Sequence, residues 1–134
     1  MGGAVQRWAG IWVLAAAPAA GAEALAVPSG LEVVLHEVIT DPRGVDGLTM
    51  RFHFIAPAIG AEDGFDPDAA LADMEHLCQS YALPRLGTGT GPTPAHVVVG
   101  LADRPVPLGE VDPDAVQLFE AFRIEGSACV ADIF

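Results

Sequence analysis

Residues 48–56, LTMRFHFIA, decide the fold. Leu48, Met50, Phe52 and Phe54 alternate with Thr49, Arg51 and His53, and alternation at period two marks a half-buried strand. Upstream, residues 31–39 (LEVVLHEVI) are rich in β-branched residues. Val33, Leu35 and Glu37 fall on one side of that run, and Val34, His36 and Val38 on the other. Between the two runs, Asp41-Pro42-Arg43-Gly44 and Asp46-Gly47 carry turn chemistry. The pair predicts an antiparallel hairpin.

After a loop over 57–65, Asp66-Pro67-Asp68 opens a helix. Asp66 caps, Pro67 takes the first helical position, and Asp68 sits at the positive end of the dipole. Leu71, Met74, Leu77, Cys78 and Tyr81 recur at helical spacing as one apolar stripe, and Pro84 ends the helix. Residues 87–94 (GTGTGPTP) form a low-complexity connector. His96–Leu101, centred on Val97-Val98-Val99, reads as a buried strand. Two prolines make Asp103–Gly109 an edge segment or loop.

Residues 112–124 carry two patterns at once. Asp112-Pro113-Asp114 resembles a second helix start, yet Val116, Leu118, Phe122 and Ile124 alternate. The reading adopted is one helical turn, then a strand over 117–124, with a longer helix as the alternative. Glu125-Gly126-Ser127 turns the chain into a last strand over 128–133 that carries Cys129. The sum is an α+β domain with element order β-β-α-β-β-β. It has a small antiparallel sheet of about five strands, one helix packed on one face, and one disulfide.

Residues 1–22 read as a signal peptide. Arg7 is the positive n-region, Trp8–Ala20 the apolar stretch, and Ala20-Gly21-Ala22 the cleavage signal. Ala24-Leu25-Ala26 is an alternative cleavage site. Residues 23–134 then form a single exported domain, periplasmic or secreted, with no stable membrane anchor after cleavage. In an oxidising compartment the only two cysteines, Cys78 and Cys129, pair. Closing a loop of about 50 residues stabilises a domain by roughly 4 kcal/mol in the chain-entropy model.

Charge narrows the function. The chain has no lysine and a formal charge of −12, and cleavage removes only Arg7 among the charged residues. An acidic surface repels phosphate backbones, so nucleic acid is not expected as a partner. Without lysine there is no P-loop, Schiff base or Ser-Lys nucleophile. Ser29, Ser80 and Ser127 lie in no nucleophile-elbow context, and no H-E-x-x-H zinc motif occurs. No catalytic residue and no cofactor is predicted.

The candidate binding face is a set of polar residues. Arg51 and His53 share one face of their strand, and His36 lies opposite them in one register. Asp103 and Arg104 follow the buried strand and pair within a turn. Such groups on an antiparallel sheet are ordinarily a solvated face, and the alternative is an anion- or metal-binding patch. Asp73 and His76, three apart on the helix, are weak metal candidates, since zinc needs three or four ligands.

Four stretches taken together, RFHFIAP (51–57), DMEHLC (73–78), VVVGLADRPVPLG (97–109) and FEAFRIEGSAC (119–129), resemble a family of short exported alphaproteobacterial proteins known only as a domain of unknown function. The resemblance implies a Gram-negative envelope address and supports the Cys78–Cys129 pairing. It carries no activity. The expected function is a non-catalytic interaction or accessory protein with a protein partner in the envelope. Its working surface would be the Thr49/Arg51/His53 face or the 103–109 edge. The alternative is a small metal- or ligand-binding protein using His36, His53 or His76, and a third reading is a carboxylate-dependent hydrolase.

Overall fold

In a computed structural model, residues 23–41, 48–61, 66–87, 93–107 and 109–132 are described. The expected leader over 1–22, the expected turn region around 42–47 and much of the 87–94 connector lie outside these residues. Six strands pair in sequence order: β1 (Ala24–Leu25), β2 (Val33–Asp41), β3 (Thr49–Ile55), β4 (His96–Ala102), β5 (Gln117–Glu125) and β6 (Ala128–Ala131). One α-helix, α1 (Pro67–Leu77), lies between β3 and β4 in the chain. It continues into a π-helical turn over Cys78–Ala82 and a 3-10 turn over Leu83–Arg85 that contains Pro84.

The expected α+β class and the expected strand over 117–124 are present, but the sheet differs from the expectation in three ways. It has six strands rather than about five, because Ala24–Leu25 adds an edge strand against Val33 and Val34. It is mixed rather than antiparallel, because β3 and β4 run parallel, Thr49 opposite His96 through Ile55 opposite Ala102. The helix explains this: a chain that leaves β3, crosses the sheet as a helix and re-enters beside β3 comes back in the same direction. The third difference is a β-bulge in β2 between Leu35 and Glu37. One extra residue there reverses the alternation, so Glu37 moves to the face opposite Leu35 and stands across from His53.

The helix side of the sheet holds the core. Phe52 and Phe54 of β3, Val97, Val99 and Leu101 of β4, and Phe122 of β5 are buried there against Met74, Leu77, Cys78 and Ala82. Tyr81 meets Phe52 and Phe54 edge-on, at centroid distances of 6.3 and 5.7 Å, with the Arg85 guanidinium 3.5 Å above its ring. Leu71, expected on the buried stripe, is 41% exposed, and Ala70 and Asp73 are buried in the same turns. The predicted N-cap is observed: the Asp66 side chain accepts from the Asp68 N–H, and Pro67 follows it.

The Cys78–Cys129 disulfide joins the end of α1 to the edge strand β6, with Cα atoms 6.3 Å apart. Gln79 reinforces the same junction. Its Nε2 donates to the Ser127 carbonyl at 2.8 Å and its Oε1 accepts from the Cys129 N–H at 3.0 Å. One side chain thus occupies two backbone groups that an open sheet edge would present to another chain. We expect Cys129→Ala to destabilise the domain by about 2–5 kcal/mol in urea unfolding. Equal stability of the wild-type protein with and without reductant would contradict this role.

Candidate binding site

The face of the sheet away from α1 is organised by one row of residues. Glu37 of β2 lies opposite His53 of β3, His53 opposite Gly100 of β4, and Gly100 opposite Phe119 of β5. Side chains in such a row are cross-strand neighbours. Gly100, which has no side chain, leaves a gap, and both rings occupy it. A Cβ there would stand 3.1 Å from His53 Cδ2 and 3.0 Å from Phe119 Cε1. A glycine inside a strand often marks a close approach of this kind. The two rings meet edge-on with centroids 6.0 Å apart.

This row corrects the expectation of a solvated polar face around His53. The imidazole is buried, with the residue only 9% exposed. Its Nδ1 lies 3.3 Å from Glu37 Oε1. A carboxylate only accepts, so Nδ1 carries the hydrogen of that contact, and in the neutral ring Nε2 is left as an acceptor. Nε2 is buried and has no hydrogen-bond partner among the described residues. Buried polar groups are ordinarily satisfied, which makes this atom the exception in the fold.

A cleft of about 260 Å³ opens beside the row. Arg104, Val106, Pro107 and Glu110 form one wall, while Ile55, Ala102, Gln117 and Phe119 line the sheet side and His36 lies at the β2 side. The cleft joins the two surfaces singled out from the sequence, the His53 face and the segment after β4. Arg51 shares the face but lies one row away, paired with Ile39 and Val98, and does not line the cleft. His36 does line it, although the bulge denies it the place opposite His53 that Glu37 takes.

The profile of a family of unknown function, DUF6497, matches residues 11–134. The chain belongs to this family. No curated protein and no solved structure matches it. The site of this DUF6497 chain therefore rests on its own geometry.

The remaining sequence candidates fall elsewhere. Asp73 is fully buried and accepts two hydrogen bonds from Ser29, from the backbone N–H at 2.9 Å and from the hydroxyl. His76 is exposed, so the two do not converge on a common ion. Among the described residues no three His, Cys, Asp or Glu side chains are grouped to hold a metal. A second polar cluster, missed in the sequence, sits at the far end of the face. There Asp132 lies 3.5 Å from His96 Nε2 and 3.5 Å from Arg123 Nη1, while Arg123 Nη2 reaches Glu125 at 3.2 Å. The Arg123–Glu125 pair is exposed and adds little stability, while His96 and Asp132 are only partly exposed.

Asp103 and Arg104 do pair, at 3.1 Å, and the carboxylate does more than that. It accepts from the Val116 N–H at 2.9 Å, while the Asp103 N–H donates to the Val116 carbonyl at 3.0 Å. This double link closes the loop whose first half is the cleft wall. It packs on Gly60, where a Cβ would lie 2.3 Å from Oδ2. Burial pushes the Asp103 carboxyl up. The hydrogen bonds from Arg104 and Val116, with the Arg104 charge, outweigh burial and hold it below the usual aspartate range. The Asp103 carboxylate in turn pushes the Arg104 guanidinium up. For a carboxyl lowered in the folded state, the stabilisation is complete above the ordinary value of about 3.9. It is lost as pH falls through the lowered value. We expect the protection factor of the Val116 amide, its exchange relative to the intrinsic rate at each pH, to fall in acid in the wild type. In Asp103→Asn the same amide should show no acid-dependent step, and an unchanged step in that variant would contradict the assignment.

Proposed function

We propose that this chain is an exported protein of the Gram-negative envelope, without catalytic activity of its own, that acts by binding a protein partner. The cleft beside the Glu37–His53–Gly100–Phe119 row is its working surface. The observation that carries this reading is the combination of an apolar-walled cleft with a buried, unsatisfied acceptor. No serine, threonine or cysteine is among the described residues lining the cleft, which favours binding over nucleophilic chemistry. Phe119, 53% exposed, gives the rim an aromatic of the type enriched at interfaces.

Export is supported by the leader read over 1–22 and by the disulfide, which is compatible with an oxidising compartment. Among the described residues no helix is long and apolar enough to cross a membrane. Cleavage after Ala22 is favoured over cleavage after Ala26, because the second would remove β1 and its pairing with Val33 and Val34. The acidic composition disfavours nucleic acid as the partner.

The test is site-specific photo-crosslinking in the periplasm, with the photoreactive residue at Phe119, at Val106 or at Leu71. Leu71 is exposed on the helix side and serves as the control. The expected result is a mature chain beginning at Glu23 and a discrete cross-linked protein from the two cleft positions alone. Retention of the chain in the cytoplasm, or equal cross-linking from Leu71, would contradict the proposal.

A further inference from the structure

We infer that the cleft receives a phenolic group, an aromatic ring bearing one uncharged hydroxyl, presented as a tyrosine side chain of the partner. The inference rests on the reading of the cleft as the binding surface and names what that surface recognises.

Four observations specify the group. His53 Nε2 is buried and has no partner among the described residues while Nδ1 is committed to Glu37, so in the neutral ring the missing partner is a donor. Phe119 stands edge-on to the imidazole and half exposed, so a turn of its ring would open Nε2 to the cleft and let the ring pack edge-on against an incoming one. The cleft's volume of about 260 Å³ falls just below the range of about 300–1,000 Å³ typical of ligand pockets, a size that suits one substituted ring.

Charge supplies the fourth. Arg104 and Glu110 both line the cleft, Arg104 is already paired with Asp103, and Glu37 stands beside the imidazole. A carboxylate has no hydrogen to give Nε2 and would meet Glu110. An ammonium would meet Arg104 and lose its hydration in a largely apolar cleft. A neutral ring with a hydroxyl meets neither penalty. Its ring replaces water against Val106, Pro107 and Ile55, and its O–H donates to Nε2.

The test uses nuclear magnetic resonance on the full mature chain, following the His53 imidazole nitrogens and the Phe119 ring. Four probes are titrated: p-cresol, toluene, and capped Gly-Tyr-Gly and Gly-Phe-Gly peptides. We expect p-cresol to saturate the His53 Nε2 shift and to bind about tenfold more tightly than toluene, a difference of ~1.4 kcal/mol. The tyrosine peptide should exceed the phenylalanine peptide by a similar factor. His53→Phe should abolish the preference. If His53→Phe does not fold, the p-cresol and toluene comparison on the wild-type chain decides alone.

Binding of p-cresol but not of the tyrosine peptide would overturn the tyrosine source and assign the cleft to free phenols. Equal affinity for p-cresol and toluene, or no shift at His53, would overturn the inference altogether. In that last case cross-linking from Phe119 would still uphold the cleft as the binding surface, so the two failures are distinguishable.

Discussion

The parallel pairing of β3 with β4 is the constraint on which the rest depends. It sets His53 beside Gly100 and, through β5, beside Phe119. It also sends the chain across one face of the sheet as α1, which brings Cys78 to the edge strand that carries Cys129. An antiparallel β3–β4 pair would need a different path for the helix and would move each of these neighbours. The parallel ladder, the crossover helix and the disulfide are therefore three expressions of one topology. The helix supplies the apolar stripe, and the disulfide fixes its far end to the sheet.

The two faces of the sheet are then given different tasks. On the helix side, large apolar residues from β3, β4 and β5 are fully buried. On the other side the strands carry His53, Gly100 and Phe119, and the bulge at His36 brings Glu37 into the same row. A single extra residue in β2 thus converts a strand that would have shown Glu37 to the core into one that orients the imidazole. The Asp103 carboxylate closes the loop over the far side of that row through Val116, and so holds the wall of the cleft against the sheet. These are positioning interactions. Their effect is to keep an unsatisfied nitrogen buried beside an apolar opening, which is costly unless something comes to meet it.

Much of the fold was legible in the residues. The alternation over 48–56, the Asp66-Pro67-Asp68 helix start, the strand over 117–124 and the cysteine pair all hold. Strand direction was not legible, because alternation is the same read in either direction and only the crossover decides it. The bulge was hidden because Val33, Val34, Leu35 and Val38 supply apolar residues to both phases of β2. β1 is too short to show a period. The cleft was half legible: the sequence pointed to His53 and to the segment after β4 as separate surfaces. Their union, and the burial of His53 by Glu37 and Phe119, came from register, which no local pattern encodes. Gln79 and the Ser29–Asp73 bonds join residues far apart in the chain and left no signal.

The most direct measurement is the cross-strand pattern of nuclear Overhauser contacts between β3 and β4 in the labelled mature chain. The account predicts the parallel pattern, with amide-to-Hα contacts linking His53 to the residues flanking Gly100, and ring contacts between His53 and Phe119. Close Hα–Hα contacts between residues 49–55 and 96–102, the mark of antiparallel neighbours, would contradict it and dissolve the row on which the cleft is built.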